Sequence, residues 1–382
     1  MLYPIPYLVL YAVLGIMSIL VHQHRDDNNY RQHLYWGGFV ICVIFFGLRG
    51  FVFHDWMNYY PSFEKTTFYE LQHYDITQST EIGWLIFRLI CKGILDDYHF
   101  MVFVHSVICL LLLFNFLKQY IGNVLLGMCI YLMFDGFTLS INLMRNCLAM
   151  MIFLNALPFL QKRRPIQYVG LCILAACFHF SALAFIPLYF FIYRKTSKWL
   201  FVGIYLSGLA IYMSSTSIFL PIIKALGVGG DFIDHKIDAY TNLSIKLKLN
   251  IGLAERLLTG GLIFCYYDKI QAIKEENRMF INVFIVYILS VFLISEFSEV
   301  SKRISILFVF CYWVLWPSII KCFYYSNNRL LFISFVVLYG ALKISAPIIN
   351  QPVCEYDNIL LGGIKSYPER KSIFERTFVQ EE

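Results

Sequence analysis

The run FMVFVHSVICLLLLFNFL, Phe100–Leu117, holds no Asp, Glu, Lys or Arg along its whole length. As a helix it would reach about 27 Å, close to the roughly 30 Å hydrocarbon core of a bilayer. Its apolar residues do not alternate with the period of two that a barrel strand needs, so the run reads as a helix. In lipid each backbone N–H and C=O must be satisfied within the chain, which leaves a helix bundle as the architecture.

The same reading extends in both directions. Apolar segments lie near Leu2–Val21, Leu34–Phe51, Tyr120–Phe137, Arg145–Leu160, Gln167–Phe178, Ala182–Tyr193, Trp199–Met213, Ile251–Tyr267, Met279–Ile294, Ile304–Ile320 and Leu330–Ala346. With the first run they make about 12 candidate spans of an all-α polytopic bundle. The pair flanking His179 is the shortest and suits a dip into the membrane as well as two crossings. Composition agrees: 59% of the 382 residues are hydrophobic and only 15% charged, against roughly 25% charged in a soluble domain. The expectation is one integral membrane domain over residues 1–382, with no appended soluble module. The start, MLYPIPYLVLYAVLGIMSIL, lacks a basic leader and a small-residue cleavage site, and reads as a retained first helix.

Charge supplies the orientation. Arg25 and Arg31, Lys118, Lys162-Arg163-Arg164, Arg194 with Lys195 and Lys198, Lys269 with Lys274 and Arg278, and Lys321 with Arg329 fall on one alternating side. The positive-inside rule assigns that side to the cytoplasm. Polar stretches at about 53–99, 214–250 and 296–303 then face outward. The tail, 347–382, lands outside too, although Lys365, Arg370, Lys371 and Arg376 make it basic. The net charge of +6 sits in these loops and forms no patch for nucleic acid. The 11 cysteines are scattered with no CxxC pair and read as small buried hydrophobes, supporting neither zinc nor a disulfide framework.

No Walker A, GxGxxG, HExxH, GxSxG or DxD motif is present, so nucleotide-driven transport and metal-dependent hydrolysis lose support. Chemistry is left to ionisable residues at the outer ends of helices. Gly47-Leu48-Arg49-Gly50 ends a span and leads to His54-Asp55 and Tyr59-Tyr60. Arg49 there suits an anionic headgroup and Asp55 an acid/base or sugar contact, or the two form a helix-end ion pair. Asn142-Leu143-Met144-Arg145-Asn146 starts a span with an arginine where the helix dipole repels it. That placement asks for an anionic partner: a diphosphate, or a salt bridge to Asp135 or a nearby Glu. His179, between Phe178 and Phe180, is a satisfied core histidine or a catalytic base. Glu81, before Gly83-Trp84, is a helix N-terminal carboxylate or a sugar ligand. Glu296, Glu299, Lys302 and Arg303 form a charged turn; Glu255-Arg256, five residues into a span, is a self-compensating pair. Interfacial helices are expected near Phe63–Leu71 or Gly83–Leu95.

Taken in order, G-L-R-G-x3-H-D-x3-Y-Y, E-I-G-W, M-R-N-x-L-A followed by K-R-R, F-H-F-S-A-L, R-x-S-I-L-F and E-Y-D-N-I-L resemble the EpsG family of bacterial exopolysaccharide proteins. That family is similar in role to the Wzy oligosaccharide-repeat-unit polymerases, and the resemblance covers most of the chain. It implies a glycosyltransferase-like membrane fold and a polymerase acting on polyprenyl-diphosphate-linked oligosaccharides at the outer face of the bacterial inner membrane. Partners implied are the lipid-linked substrate, the bilayer, and chain-length-regulator and flippase proteins; no cofactor, metal or nucleic acid is implied. Carried over, it singles out Arg49, Asp55, Tyr59, Glu81, Arg145 and His179. The expectation drawn is Asp55, His179 and Arg145 as catalytic, and Arg49, Tyr59 and Glu81, together with His54, Tyr60 and Arg303 from the residue reading, as substrate-binding. Asn146 departs from the glutamine that relatives often carry. A ligase using the same donor, or a flippase for the same lipid-linked sugars, is the alternative.

Overall fold

The computed structural model describes residues 3–75, 80–214, 250–295 and 297–378. Most of the expected outward loop at 214–250, and Glu296, lie outside the described residues. Among the described residues there is no strand; sheet-like pairing is confined to single bridges, Arg49 with Asn358 and Asn358 with Gly363. The chain forms two compact units, Met1–Tyr189 with Leu330–Glu382, and Phe190–Arg329.

Each apolar segment read from the sequence is helical where described, but several are broken. Ile5–Gln23, Tyr98–Tyr120 and Ser326–Ser345 are long and apolar enough to cross a membrane, and Val300–Phe308 with Phe310–Cys322 makes a fourth if counted through its 51° bend. Against the expectation of about 12 spans, three or four helices among the described residues are long and apolar enough to cross, with shorter apolar helices besides. The breaks have local causes. Tyr120–Phe137 begins as helix Val124–Tyr131 and then winds into π turns, with Phe134 and Asp135 out of helical geometry. Arg145–Leu160 divides into Met144–Leu154 and Leu157–Gln161, because Pro158 lacks the N–H that would bond back to Leu154. Pro165–Ala176 is about 18 Å long at 1.5 Å per residue, short of a crossing. The 3-10 segment Phe180–Phe190 turns back from it.

In the first unit Asn28–Gly47 packs along Tyr98–Tyr120, Ile5–Gln23 along Val124–Tyr131, and Met144–Leu154 between Tyr98–Tyr120 and Pro165–Ala176. Its core is apolar to the centre: Phe116, Leu125, Met128, Leu139, Cys147, Met150 and Phe153 are fully buried. The faces turned away from that core are apolar as well. Val9, Ile16 and Ile19 on the first helix and Leu331, Leu338 and Leu342 on Ser326–Ser345 are exposed, as lipid-facing positions must be. In the second unit Asn277–Leu293 packs between Lys198–Ser214 and Phe310–Cys322. Of the cysteines nine are buried and all are unbridged, in keeping with their reading as small hydrophobes.

Four further helices matter for the site: Trp56–Lys65, Phe68–Gln72, Ile82–Ile94 and the tail helix Tyr367–Phe378. Ile82–Ile94 is amphipathic in an inverted sense. It buries Trp84, Leu85, Arg88 and Cys91, and exposes Ile86, Ile90 and Ile94 as a stripe at i, i+4, i+8. An interfacial placement, with that stripe in lipid, fits this pattern.

The tail docks on the end of the first unit that carries these helices. Gly50 N donates to Asp357 O (3.1 Å), Ile359 N to Leu48 O (2.9 Å) and Phe53 N to Val353 O (3.0 Å). Two of its basic residues are paired there: Arg370, fully buried, bonds Asp357 Oδ2 at 2.9 Å and the Glu355 carbonyl at 2.7 Å, and Lys365 pairs with Glu355. A Cβ on Gly50 would meet Asp357 Oδ1 at 2.2 Å, so only glycine lets the tail approach so closely.

Candidate active site

The site is assembled on the first unit from three of the sequence motifs. Arg145 is the second residue of helix Met144–Leu154 and half-buried. Its Nη1 lies 2.6 Å from Glu81 Oε2, an ion pair in which the carboxylate is only 8% exposed. The anionic partner that the arginine demanded is thus Glu81; Asp135 is exposed in a left-handed turn. Glu81 stands at the N-cap position of Ile82–Ile94 without a side-chain cap bond, and its Oε1 accepts a weak bond from Phe180 N at 3.4 Å. Tyr59 closes the other side, near enough for the Arg145 charge to act on its phenol. Burial pushes that phenol up to about 12, with the arginine charge pulling the other way, so it stays protonated across the physiological range.

The E-I-G-W motif explains how Glu81 gets there. Gly83 N donates to Cys177 O at 2.8 Å, and a Cβ on Gly83 would sit 2.7 Å from that same carbonyl. Glycine lets the start of Ile82–Ile94 press on the end of Pro165–Ala176, which brings Glu81 beside the His179 turn. The ring of Trp84 packs between Tyr59 (5.7 Å) and His105 (5.9 Å). His105, buried, holds Met144 O through Nε2 at 2.9 Å and so steadies the start of the Arg145 helix.

His54 and Asp55 are positioned from the Arg145 motif itself. Asn142 Oδ1 accepts from both His54 N (3.1 Å) and Asp55 N (2.8 Å). The preceding Phe53 is left-handed, φ 67°, an uncommon state for a bulky residue. It is held by its N–H on Val353 O and by Trp56 Nε1 on its carbonyl, 2.9 Å. Asp55 then starts helix Trp56–Lys65, whose far end is clamped by Arg88 and Lys92 through the Ser62, Phe63 and Glu64 carbonyls. His54 is partly buried, and burial holds its imidazole below the usual value.

His179 stands in the turn between Pro165–Ala176 and Phe180–Phe190. Its Nδ1 receives Ser181 N at 3.2 Å and lies 2.6 Å from Ser181 Oγ. With a backbone N–H aimed at it, Nδ1 is an acceptor, so in the neutral ring the proton is on Nε2.

The remaining expected residues fall elsewhere. Arg49 is turned inward, 3% exposed, with its guanidinium on the Phe46 and Ile141 carbonyls and Ser106 Oγ. It joins two helices rather than facing the Arg145 cluster. Tyr60 stacks on Tyr367 of the tail at 4.5 Å, and Phe374 lies against His54 and Trp56. Arg303 is exposed on Ser298–Ser305 of the second unit. Among the described residues no group of three or more His, Cys, Asp or Glu gathers as metal ligands.

One family model matches this chain, that of the EpsG family, over residues 35–358. The chain belongs to the EpsG family. No curated protein and no solved structure matches it. As an EpsG protein it is a membrane protein of polysaccharide biosynthesis. The EpsG match takes in every member of the Arg145 cluster and ends at Asn358, before the tail helix Tyr367–Phe378 that covers Tyr60 and Trp56.

Sequence reasoning had named most of this cluster but missed its supports. Asn142 was one polar residue in a run, and nothing local marks it as the acceptor for a turn 87 residues away. Arg88 carried a readable signal, an arginine in the middle of a largely apolar helix. His105, inside the apolar run Phe100–Leu117, carried the same kind.

Proposed function

We propose that this EpsG protein polymerises polyprenyl-diphosphate-linked oligosaccharide repeat units into an exopolysaccharide, by glycosyl transfer at the outer face of the bacterial inner membrane. The observation that carries the reading is the Arg145–Glu81 pair, because it puts a half-exposed guanidinium at a helix start among groups suited to sugars. The non-reducing-end hydroxyl of an incoming lipid-linked repeat attacks the anomeric carbon that joins the growing glycan to its lipid diphosphate. Arg145 takes the negative charge that develops on the departing diphosphate; a fixed cation there needs no reorganisation as the bond breaks. Asp55, His54 and Tyr59 on one side, and His179 on the other, hold the acceptor sugar. No nucleotide enters, because the lipid diphosphate is itself the leaving group. Arg49, Asn142 and Arg88 keep the helices that carry these side chains in register.

The test is glycan length in a null strain complemented with wild type or Arg145→Ala, with membrane levels of each checked. Wild type restores a long-chain ladder, and the variant leaves single repeats at equal abundance. If the null strain keeps its repeats at the cytoplasmic face, the protein is a flippase. If long chains form without the protein but stay on their lipid, it is a ligase.

A further inference from the structure

We infer that Glu81 is the catalytic base, and that it is released for this role when the leaving diphosphate takes over its ion pair with Arg145. The inference rests on the polymerase reading and deepens it. Glu81 is nearly buried, its Oε2 occupied by Arg145 at 2.6 Å and its Oε1 facing the backbone N–H of Phe180 at 3.4 Å. A carboxylate in that position occupies the place on Arg145 that a phosphate oxygen would take. The anion is the internal stand-in for the ligand.

Exchange of partners has a chemical consequence. Once a diphosphate binds Arg145, the guanidinium no longer occupies Glu81 Oε2. That carboxylate oxygen is thus vacated at the moment when the acceptor hydroxyl must lose a proton, and only when the leaving group is in place. The step balances. The acceptor O–H proton passes to the Glu81 carboxylate, and the oxygen lone pair forms the new bond to the anomeric carbon. The bond from that carbon to the diphosphate oxygen breaks, its electron pair leaving with the polyprenyl diphosphate against Arg145. Departure of the diphosphate restores the ion pair, and the proton leaves to water.

His179 is less suited to this step. Its Nδ1 is committed to Ser181 N, so in the neutral ring Nε2 carries the proton and is a donor, not a base. That suits it to hold a sugar oxygen.

Glu81→Gln separates binding from chemistry, because the amide keeps an oxygen for Phe180 N and removes the competing charge. Two readouts are taken on purified protein and on membranes. Polyprenyl diphosphate without sugar is titrated into each protein in nanodiscs, and elongation is followed with the lipid-linked repeat extracted from the null strain, between pH 5.5 and 8.5. Glu81→Gln is expected to bind polyprenyl diphosphate about two- to fivefold more tightly, the scale of a partly exposed ion pair. Its elongation falls by about 10²–10⁴, the usual contribution of a general base, and the acid limb of the rate profile disappears. Glu81→Asp keeps a measurable fraction of the rate and retains that limb, which serves if the glutamine variant is poorly folded. Elongation by Glu81→Gln at the wild-type rate overturns the inference. Weaker binding together with slower elongation also overturns it, because Glu81 then only positions Arg145. If the wild type itself binds no polyprenyl diphosphate and elongates nothing, the polymerase reading is what fails, and this assignment falls with it.

Discussion

Arg145 Nη1 meets Glu81 Oε2 at 2.6 Å across 64 residues of chain, an arginine at a helix start paired to a carboxylate at the cap of another. The pair joins the M-R-N and E-I-G-W motifs at one point. Arg145→Lys keeps the charge but loses the planar fork that suits a phosphate. It is expected to lower elongation by about 10²-fold or more, the range for loss of one preorganised charge-stabilising group. Arg145→Ala, which leaves Glu81 unpaired, is expected to lower the melting temperature in detergent as well. A lysine variant that elongates at the wild-type rate would remove Arg145 from the reacting centre.

Asn142 is the hinge between the two outward motifs, since one oxygen serves both His54 N and Asp55 N. Asn142→Asp retains that oxygen and is expected to keep most activity. Asn142→Ala leaves two N–H groups seeking water and costs about 0.5–2 kcal/mol, as for a lost helix cap. Hydrogen exchange at His54 and Asp55 is the direct readout. Equal protection in the two variants would show that the contact does not hold the turn.

Gly83→Ala places a methyl group 2.7 Å from Cys177 O, where neither backbone can yield freely. A cost of about 1–3 kcal/mol is expected, as for overpacking, together with a shift of Glu81 and loss of elongation. Gly15→Ala, whose Cβ meets nothing within 4 Å, is the control and is expected to be neutral or stabilising. If both variants behave alike, the close approach at Gly83 is not what sets the site.

The tail is held by a fully buried guanidinium. Arg370→Ala strands Asp357, 13% exposed, and is expected to cost about 3–5 kcal/mol. The double variant Arg370→Met with Asp357→Asn recovers much of that loss, because no buried charge is left alone. Proteolysis of the tail, followed by mass spectrometry, separates the two. Tail protection unchanged in Arg370→Ala would count against this anchor.

His54 gives the fold a pH dependence of known sign. Burial lowers its folded-state value below the ordinary 6.5, so folding excludes a proton that the unfolded chain accepts. The stability from this group is complete above about pH 6.5 and declines as pH falls through the lower folded value. Melting curves of wild type and His54→Gln between pH 5 and 8 should diverge on the acid side, with the variant flatter. Parallel curves would assign the acid sensitivity to other groups.

The sequence by itself determined the helical class, the twelve apolar segments and the identity of most polar residues around Arg145. These depend on local composition: lipid forbids unsatisfied backbone, so a long uncharged run such as Phe100–Leu117 can only be helix, and an arginine at a helix start must find an anion. Tertiary structure alone decided which anion. Glu81 rather than Asp135 answers Arg145, because Gly83 lets one helix abut the end of another. It also decided that Arg49 turns inward to carbonyls, away from the cluster that its motif accompanies. The breaks that shortened Tyr120–Phe137 and Arg145–Leu160 were only half legible: Pro158 was visible in the sequence, whereas the π turns after Tyr131 had no local mark. Likewise only the tertiary structure shows that Lys365 and Arg370 of the basic tail are met by Glu355 and Asp357. Pairing across long stretches of chain is set by packing geometry, and no local pattern of residues encodes it.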